Sequence, residues 1–142
     1  MNKFEIYLAG KMGGLTFEEM NGWREEITKI FNQYTDRIKT HNPCHYYNFD
    51  LDPSTYTDHE VKRFDLWLVK KSNLVVVNLD QPNSIGTAIE LHEAHDNWKI
   101  PVIGFGGKDK EVHPWMQLSL NRWCDDMRDA VEHVVEFYLS CF

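Results

Sequence analysis

Two aliphatic runs leave this chain little choice of architecture. Leu74-Val75-Val76-Val77 and the stretch from Ile100 to Phe105 are near-continuous β-forming segments without polar alternation. Strands of that kind must be covered on both faces, as in a parallel sheet held between two layers of helices. A third run, Phe4 to Ala9, alternates and then saturates with β-formers before ending on Gly10, which suits a central strand entering a turn. "DRIKTHNP" reads as a short strand stopped by Pro43.

Helical periodicity fills the intervals. Thr16 followed by Glu19 is a capping box opening a helix from about Phe17 to Tyr34, with Met20, Trp23, Ile27, Ile30, Phe31 and Tyr34 on one stripe. Asp58 starts a second helix through Val61, Phe64 and Leu68 toward Lys71, and a third runs from Ile85 to Trp98. Asp125 is expected to cap a last helix with Met127, Val131, Val134, Val135 and Tyr138 inward. Strand and helix alternate throughout, so the expectation is a single domain over 1–142 of the α/β class. It is a doubly wound, mostly parallel sheet flanked by helices, a flavodoxin- or Rossmann-like three-layer sandwich. The segment from His41 to Thr57 is polar and aromatic without clear period, as functional connections often are.

Composition narrows the function. Fifteen basic against twenty-two acidic side chains give a formal charge of -7, which repels polyanions and argues against a nucleic-acid polymer as partner. Three cysteines, Cys44, Cys124 and Cys141, form no CxxC pair and read as free thiols in a reducing compartment. No signal-peptide pattern opens the chain and no apolar run approaches membrane-spanning length. The expected setting is cytoplasmic, without a membrane partner.

In a doubly wound sheet, ligands bind outside the carboxyl ends of the strands. That rule selects the loops after Leu8, Val77 and Phe105. In the first, Gly10, Lys11, Gly13 and Gly14 either present backbone N–H groups to a phosphate, hydroxyl or carboxylate, or merely permit a tight turn. The loop fits neither the dinucleotide nor the P-loop pattern. After Val77 the chain breaks on Asn78, Asp80, Asn83 and Ser84, passes Gly86 and meets Glu90 early in the next helix. Asp65 lies among apolar neighbours on the preceding helix. Asp65, Asp80 and Glu90 could share one cleft, and paired carboxylates are what cleavage of a glycosidic bond requires. Near a helix N-terminus Glu90 would be held ionised, as a nucleophile needs, unless it simply complements the helix dipole at the surface. His92 and His95 lie one turn apart, but no metal-binding spacing accompanies them, so no metal and no cofactor are expected.

The order of "IYLAG", "FDLWL" and "NSIGTAIEL" resembles the nucleoside 2-deoxyribosyltransferase superfamily, which includes the 2'-deoxynucleoside 5'-monophosphate N-glycosidases. The resemblance covers residues 3 to about 105. It implies that Glu90 is a nucleophile forming a glycosyl-enzyme intermediate, that Tyr7 orients it, that Asp65 handles the nucleobase and its proton, and that Ser84 meets the sugar 5' end. Gly10, Lys11, Gly13, Gly14, Asp80, Asn83 and Gly86 would complete the substrate-binding set. The implied reaction is transfer of deoxyribose between bases on a small-molecule nucleoside or nucleotide. Hydrolysis of a deoxynucleoside 5'-monophosphate is the alternative, and a non-catalytic nucleotide-sensing module is the competitor from another class. The resemblance also implies a homo-oligomer. Two positions depart from it: His92 stands where glycine usually follows Glu-Leu, and Pro114 lies in the segment that in relatives reaches a neighbour's site.

Overall fold

The computed structural model describes residues 2–47 and 57–142. Five strands form one sheet in the order β2-β1-β3-β4-β5: β1 (Phe4–Ala9), β2 (Ile38–His41), β3 (Leu74–Asn78), β4 (Val102–Phe105) and β5 (Arg122–Cys124). Every pairing is parallel. The helices are α1 (Phe17–Tyr34), α2 (Asp58–Lys71), α3 (Ile85–His92), α4 (Pro114–Gln117) and α5 (Met127–His133). The doubly wound architecture expected from the sequence is the one observed.

Side chains of β1 and β3 separate onto two cores because successive residues of a strand point to opposite faces. Ile6, Leu8, Leu74 and Val76 pack with Ile27 and Phe31 of α1, Val131 of α5 and Val134 just after it. Tyr7, Ala9, Val75 and Val77 pack with Leu68 and Val69 of α2 and Leu91 of α3. Val75, Val76 and Val77 are all fully buried, which explains the unbroken valine run. Each such side chain contributes roughly 1.5–3 kcal/mol when removed from water. No helix among the described residues is long and apolar enough to cross a membrane.

The helix starts follow their local chemistry. Thr16 and Thr57 each close a capping box, with Glu19 and Glu60 respectively, so α2 begins one residue after its cap, at Asp58. Asp126, rather than Asp125, caps α5 by accepting from the Asp129 N–H. The third helix ends its α-helical part at His92 and continues as a π-helical turn, Glu93–Asn97. Sequence periodicity did not reveal β5 or α4, which are three and four residues long and too short to carry a period. The segment from His41 to Thr57 is described only up to Tyr47, with a 3-10 turn at Pro43–His45; residues 48–56 of that expectation lie outside the described residues.

One connection depends on glycine. Gly107 follows β4 at φ +68°, where an added Cβ would collide with the Leu79 carbonyl oxygen. Its N–H is held by Asp80 Oδ1 at 2.9 Å, which ties the loop after β4 to the loop after β3.

Candidate active site

From β1 the chain winds to β2 on one side and to β3 on the other, so the sheet reverses its winding between β1 and β3. In a doubly wound sheet that reversal is where the loops leaving the carboxyl ends diverge and a ligand crevice forms. Ala9 and Val77 are register partners at that edge. The glycine loop follows the first and the polar break from Asn78 to Ser84 follows the second.

Tyr7 stands on β1 with its ring fully buried and donates its phenolic hydrogen to Glu90 Oε2 at 2.5 Å. Burial, reinforced by the charges of Glu90 and Asp65, holds the Tyr7 phenol well above its ordinary pKa, so it stays a donor. Glu90 lies in the second turn of α3, beyond the N–H groups that concentrate the helix dipole. The expectation that the helix end keeps it ionised is therefore corrected. Removal from water raises its carboxyl from 4.5 to about 8; the Tyr7 hydrogen bond and the Arg24 charge oppose the rise, while the Asp65 charge adds to it.

Asp65 is brought to the same place by α2. Desolvation raises its carboxyl from 3.8 to about 6, against the hydrogen bond from Tyr47 and the charge of Arg24. Tyr47 Oη donates to Asp65 Oδ1 at 2.8 Å. Both carboxyls are raised by burial, and the Asp65 charge raises Glu90 further, which favours keeping a proton on this pair near neutral pH. Such a pair can combine a nucleophile with a proton donor.

Ser84 is the N-cap of α3, its Oγ accepting from the Thr87 N–H at 3.2 Å and from Thr87 Oγ1 at 2.9 Å. Gly86 is exposed on the first turn and carries no side chain to block approach to the helix end. Gly13 and Gly14 are exposed before α1, and Lys11 is partly exposed beside them. Gly10 is buried: a Cβ there would stand 2.9 Å from the Trp23 ring and 3.4 Å from the Arg24 guanidinium. Asn83 is exposed at the end of the polar break. Asp80 faces the β4 loop, where it accepts the Gly107 N–H, so its carboxylate has a structural partner. His92 and His95 both turn to Asp96, at 3.1 and 2.7 Å. His92 is exposed.

The resulting scaffold can be compared with solved proteins. A conserved protein from Enterococcus faecalis V583 superposes with a TM-score of 0.80 at 19% identity, covering 94% of this chain and 98% of that one. A 2-deoxyribosyltransferase from the psychrotolerant bacterium Bacillus psychrosaccharolyticus superposes with a TM-score of 0.69 at 18% identity, covering 89% and 90% of the two chains. This chain has the 2-deoxyribosyltransferase fold. No protein-family model matches the sequence, and no curated protein matches it.

Within the 2-deoxyribosyltransferase fold of this chain, two residues beside the carboxyl pair were not singled out by sequence reasoning. Tyr47 sits in the aromatic stretch after Pro43, where no period marked it. Arg24 does carry a signal: it lies on the buried stripe of α1, between Met20 and Ile27, where a charged residue is out of place. Trp123 is partly buried against the core and donates Nε1–H to the Gly106 carbonyl at 2.7 Å, whereas Trp115 is 77% exposed.

Proposed function

We propose that this chain cleaves the N-glycosidic bond of a 2'-deoxynucleoside or its 5'-monophosphate through a covalent glycosyl-Glu90 intermediate, and transfers the deoxyribose to another nucleobase. The observation that carries this reading is the Tyr7–Glu90 hydrogen bond beside Asp65. With Oε2 committed to Tyr7, Glu90 Oε1 attacks C1'. The C1'–N bond breaks, its electron pair goes to the base, and Asp65 delivers a proton to the departing nitrogen. An incoming base nitrogen then attacks C1' of the glycosyl ester; the C1'–Oε1 bond breaks with its electron pair returning to Glu90, and the nitrogen's proton passes to Asp65, which restores both carboxyls.

The productive arrangement has Glu90 ionised and Asp65 protonated. In the free site the order of affinities is the reverse, because Glu90 is the more strongly raised of the two. The reactive form is thus a minor tautomer of the singly protonated pair, and the Tyr7 hydrogen bond increases its share.

A phosphorylated substrate resolved by water is the second reading. What favours it is Ser84 with the glycine loop and Lys11: a hydroxyl, backbone N–H groups and a cation accept a phosphate better than a carboxylate at position 84 would. The likeness to the B. psychrosaccharolyticus enzyme supports deoxyribosyl transfer through the fold alone. Self-association is part of the same proposal. Ile85 on α3, Trp115 on α4 and Leu118 just after α4 are each at least 75% exposed, and the two helices are in contact, so these apolar side chains are the surface that self-association would cover.

The deciding experiment incubates the protein with deoxynucleosides and their 5'-monophosphates, with and without a free acceptor base. Glu90-dependent base exchange supports transfer, and free sugar phosphate supports hydrolysis. Ligand binding without turnover, persisting in Glu90→Ala, would instead favour a sensing module.

A further inference from the structure

Arg24 is fully excluded from solvent, yet no carboxylate lies within ion-pair distance of it among the described residues. Its donors go to the chain itself: Nε to the Leu8 carbonyl at 3.2 Å, Nη2 to the Gly10 carbonyl at 3.1 Å, and Nη1 to the Met20 carbonyl at 2.5 Å and to Cys44 Sγ at 3.8 Å. The guanidinium also lies over the Trp23 ring, 4.5 Å from its centroid, and that ring closes against Gly10. Guanidinium is effectively always protonated in a protein. A buried cation satisfied only by neutral groups is costly to hold, unless negative charge develops nearby in work that the fold must do.

The groups it faces define that work. Cys44, in the turn after β2, is in contact with it, and its charge acts through space on Tyr7 of β1 and Glu90 of α3. Glu90 is faced in turn by Tyr7, by Asp65 from α2, and by Arg24, the one cation in that set. Burial raises the Cys44 thiol, so it is a neutral neighbour at physiological pH rather than a counter-ion.

We propose that Arg24 is a positioning residue for the reaction described above: it ties the exit of β1 and the start of the glycine loop to α1, and supplies the buried positive charge against which Glu90 becomes an anion. It reaches the crevice from the opposite layer, since α1 packs on the Ile6–Leu8 face of the sheet whereas Tyr7 and α3 occupy the other. Arg24 is closed off from solvent and touches no substrate; it acts through the strand end and through Glu90. The inference rests on Glu90 being the nucleophile.

The test reads Glu90 directly, by following its side-chain carboxyl carbon by NMR against pH in ligand-free protein, assigned with Glu90→Gln. Arg24→Gln removes the charge and keeps polar atoms; Arg24→Lys keeps the charge and loses the fork of donors. The expected result is a Glu90 midpoint raised by about one unit in Arg24→Gln and nearly unchanged in Arg24→Lys. The alkaline limb of kcat/KM for base release, which follows loss of the pair's last proton, should move in parallel. In the wild type, the Arg24 Nε–H resonance should shift with the Glu90 midpoint and stay flat in Glu90→Gln, a comparison that survives if Arg24→Gln does not fold. A flat Arg24 resonance in the wild type, or a midpoint displaced equally by both Arg24 variants, overturns the proposal. Coupling without any base release by the wild type overturns the catalytic reading instead, and leaves the electrostatic role standing.

Discussion

Tyr7 and Glu90, 83 positions apart in the chain, are joined by a 2.5 Å hydrogen bond at the carboxyl edge of the sheet. The phenol is fully buried and its hydroxyl donates to one oxygen of the carboxyl group. Tyr7→Phe keeps the ring packed in the core and removes only this donor. A hydrogen bond to a charged group contributes about 1.5–3 kcal/mol. The expected loss in kcat/KM is therefore roughly 10- to 100-fold, with little change in KM. Steady-state kinetics would decide it, and unchanged kcat would remove Tyr7 from the mechanism.

Glu90→Gln separates chemistry from stability. Base release should fall by roughly a thousandfold or more, because an amide is no nucleophile. Thermal stability should move the other way. A carboxyl whose folded pKa is raised binds its proton more tightly in the native state, so its stabilising contribution is complete below about 4.5 and is lost as pH rises through about 8. The variant should match the wild type near pH 4.5 and exceed it near pH 8. Allowing for partial solvent contact, the gain is about 1–2 kcal/mol. Denaturant titrations at the two pH values check this, and equal differences at both would refute the raised carboxyl.

The coupled pair also sets the pH profile. Between about pH 6 and 8 the two carboxyls share one proton, the stoichiometry that an ionised Glu90 with a protonated Asp65 requires. A bell-shaped kcat/KM with limbs near those values is expected. Asp65→Asn should remove the alkaline limb and lower the rate most for bases that leave poorly. A profile flat from pH 6 to 8 in the wild type would contradict it.

Ser84 tests the substrate. Ser84→Asp preserves an N-cap acceptor for Thr87 while placing negative charge at the helix start. It should raise KM for a deoxynucleoside 5'-monophosphate by about tenfold or more through like-charge repulsion, and spare the free nucleoside. Ser84→Ala should cost about 1 kcal/mol of stability through loss of the cap. Equal effects of Ser84→Asp on both substrates would show that position 84 does not face the 5' group.

The layered fold was legible because its cause is local and repetitive. Valine runs such as 74–77 can be satisfied only by cover on both faces, and capping boxes at Thr16 and Thr57 announce their helices. Short elements escaped: β5 and α4 owe their conformation to β4 and α3 beside them rather than to any period of their own. Glu90 and Asp65 stood out by their place along the chain, whereas Tyr7 was expected only from the resemblance to the deoxyribosyltransferase superfamily. The protonation of the two carboxyls was not legible, since it depends on how much water the packed crevice excludes. For that reason the helix-dipole expectation failed, and burial decided the sign.

What the sequence by itself determined is the alternation of buried strands with amphipathic helices, and the placing of small and polar residues where strands end. Hydrophobic period and capping chemistry act over a few residues and can be read from them. What only the tertiary structure decided is which distant groups share a dry space: Tyr7 with Glu90, Tyr47 with Asp65, and Arg24 beneath the strand end that leads to both. Charge and desolvation act through space, so the character of Glu90 exists only once four separate elements have packed around it.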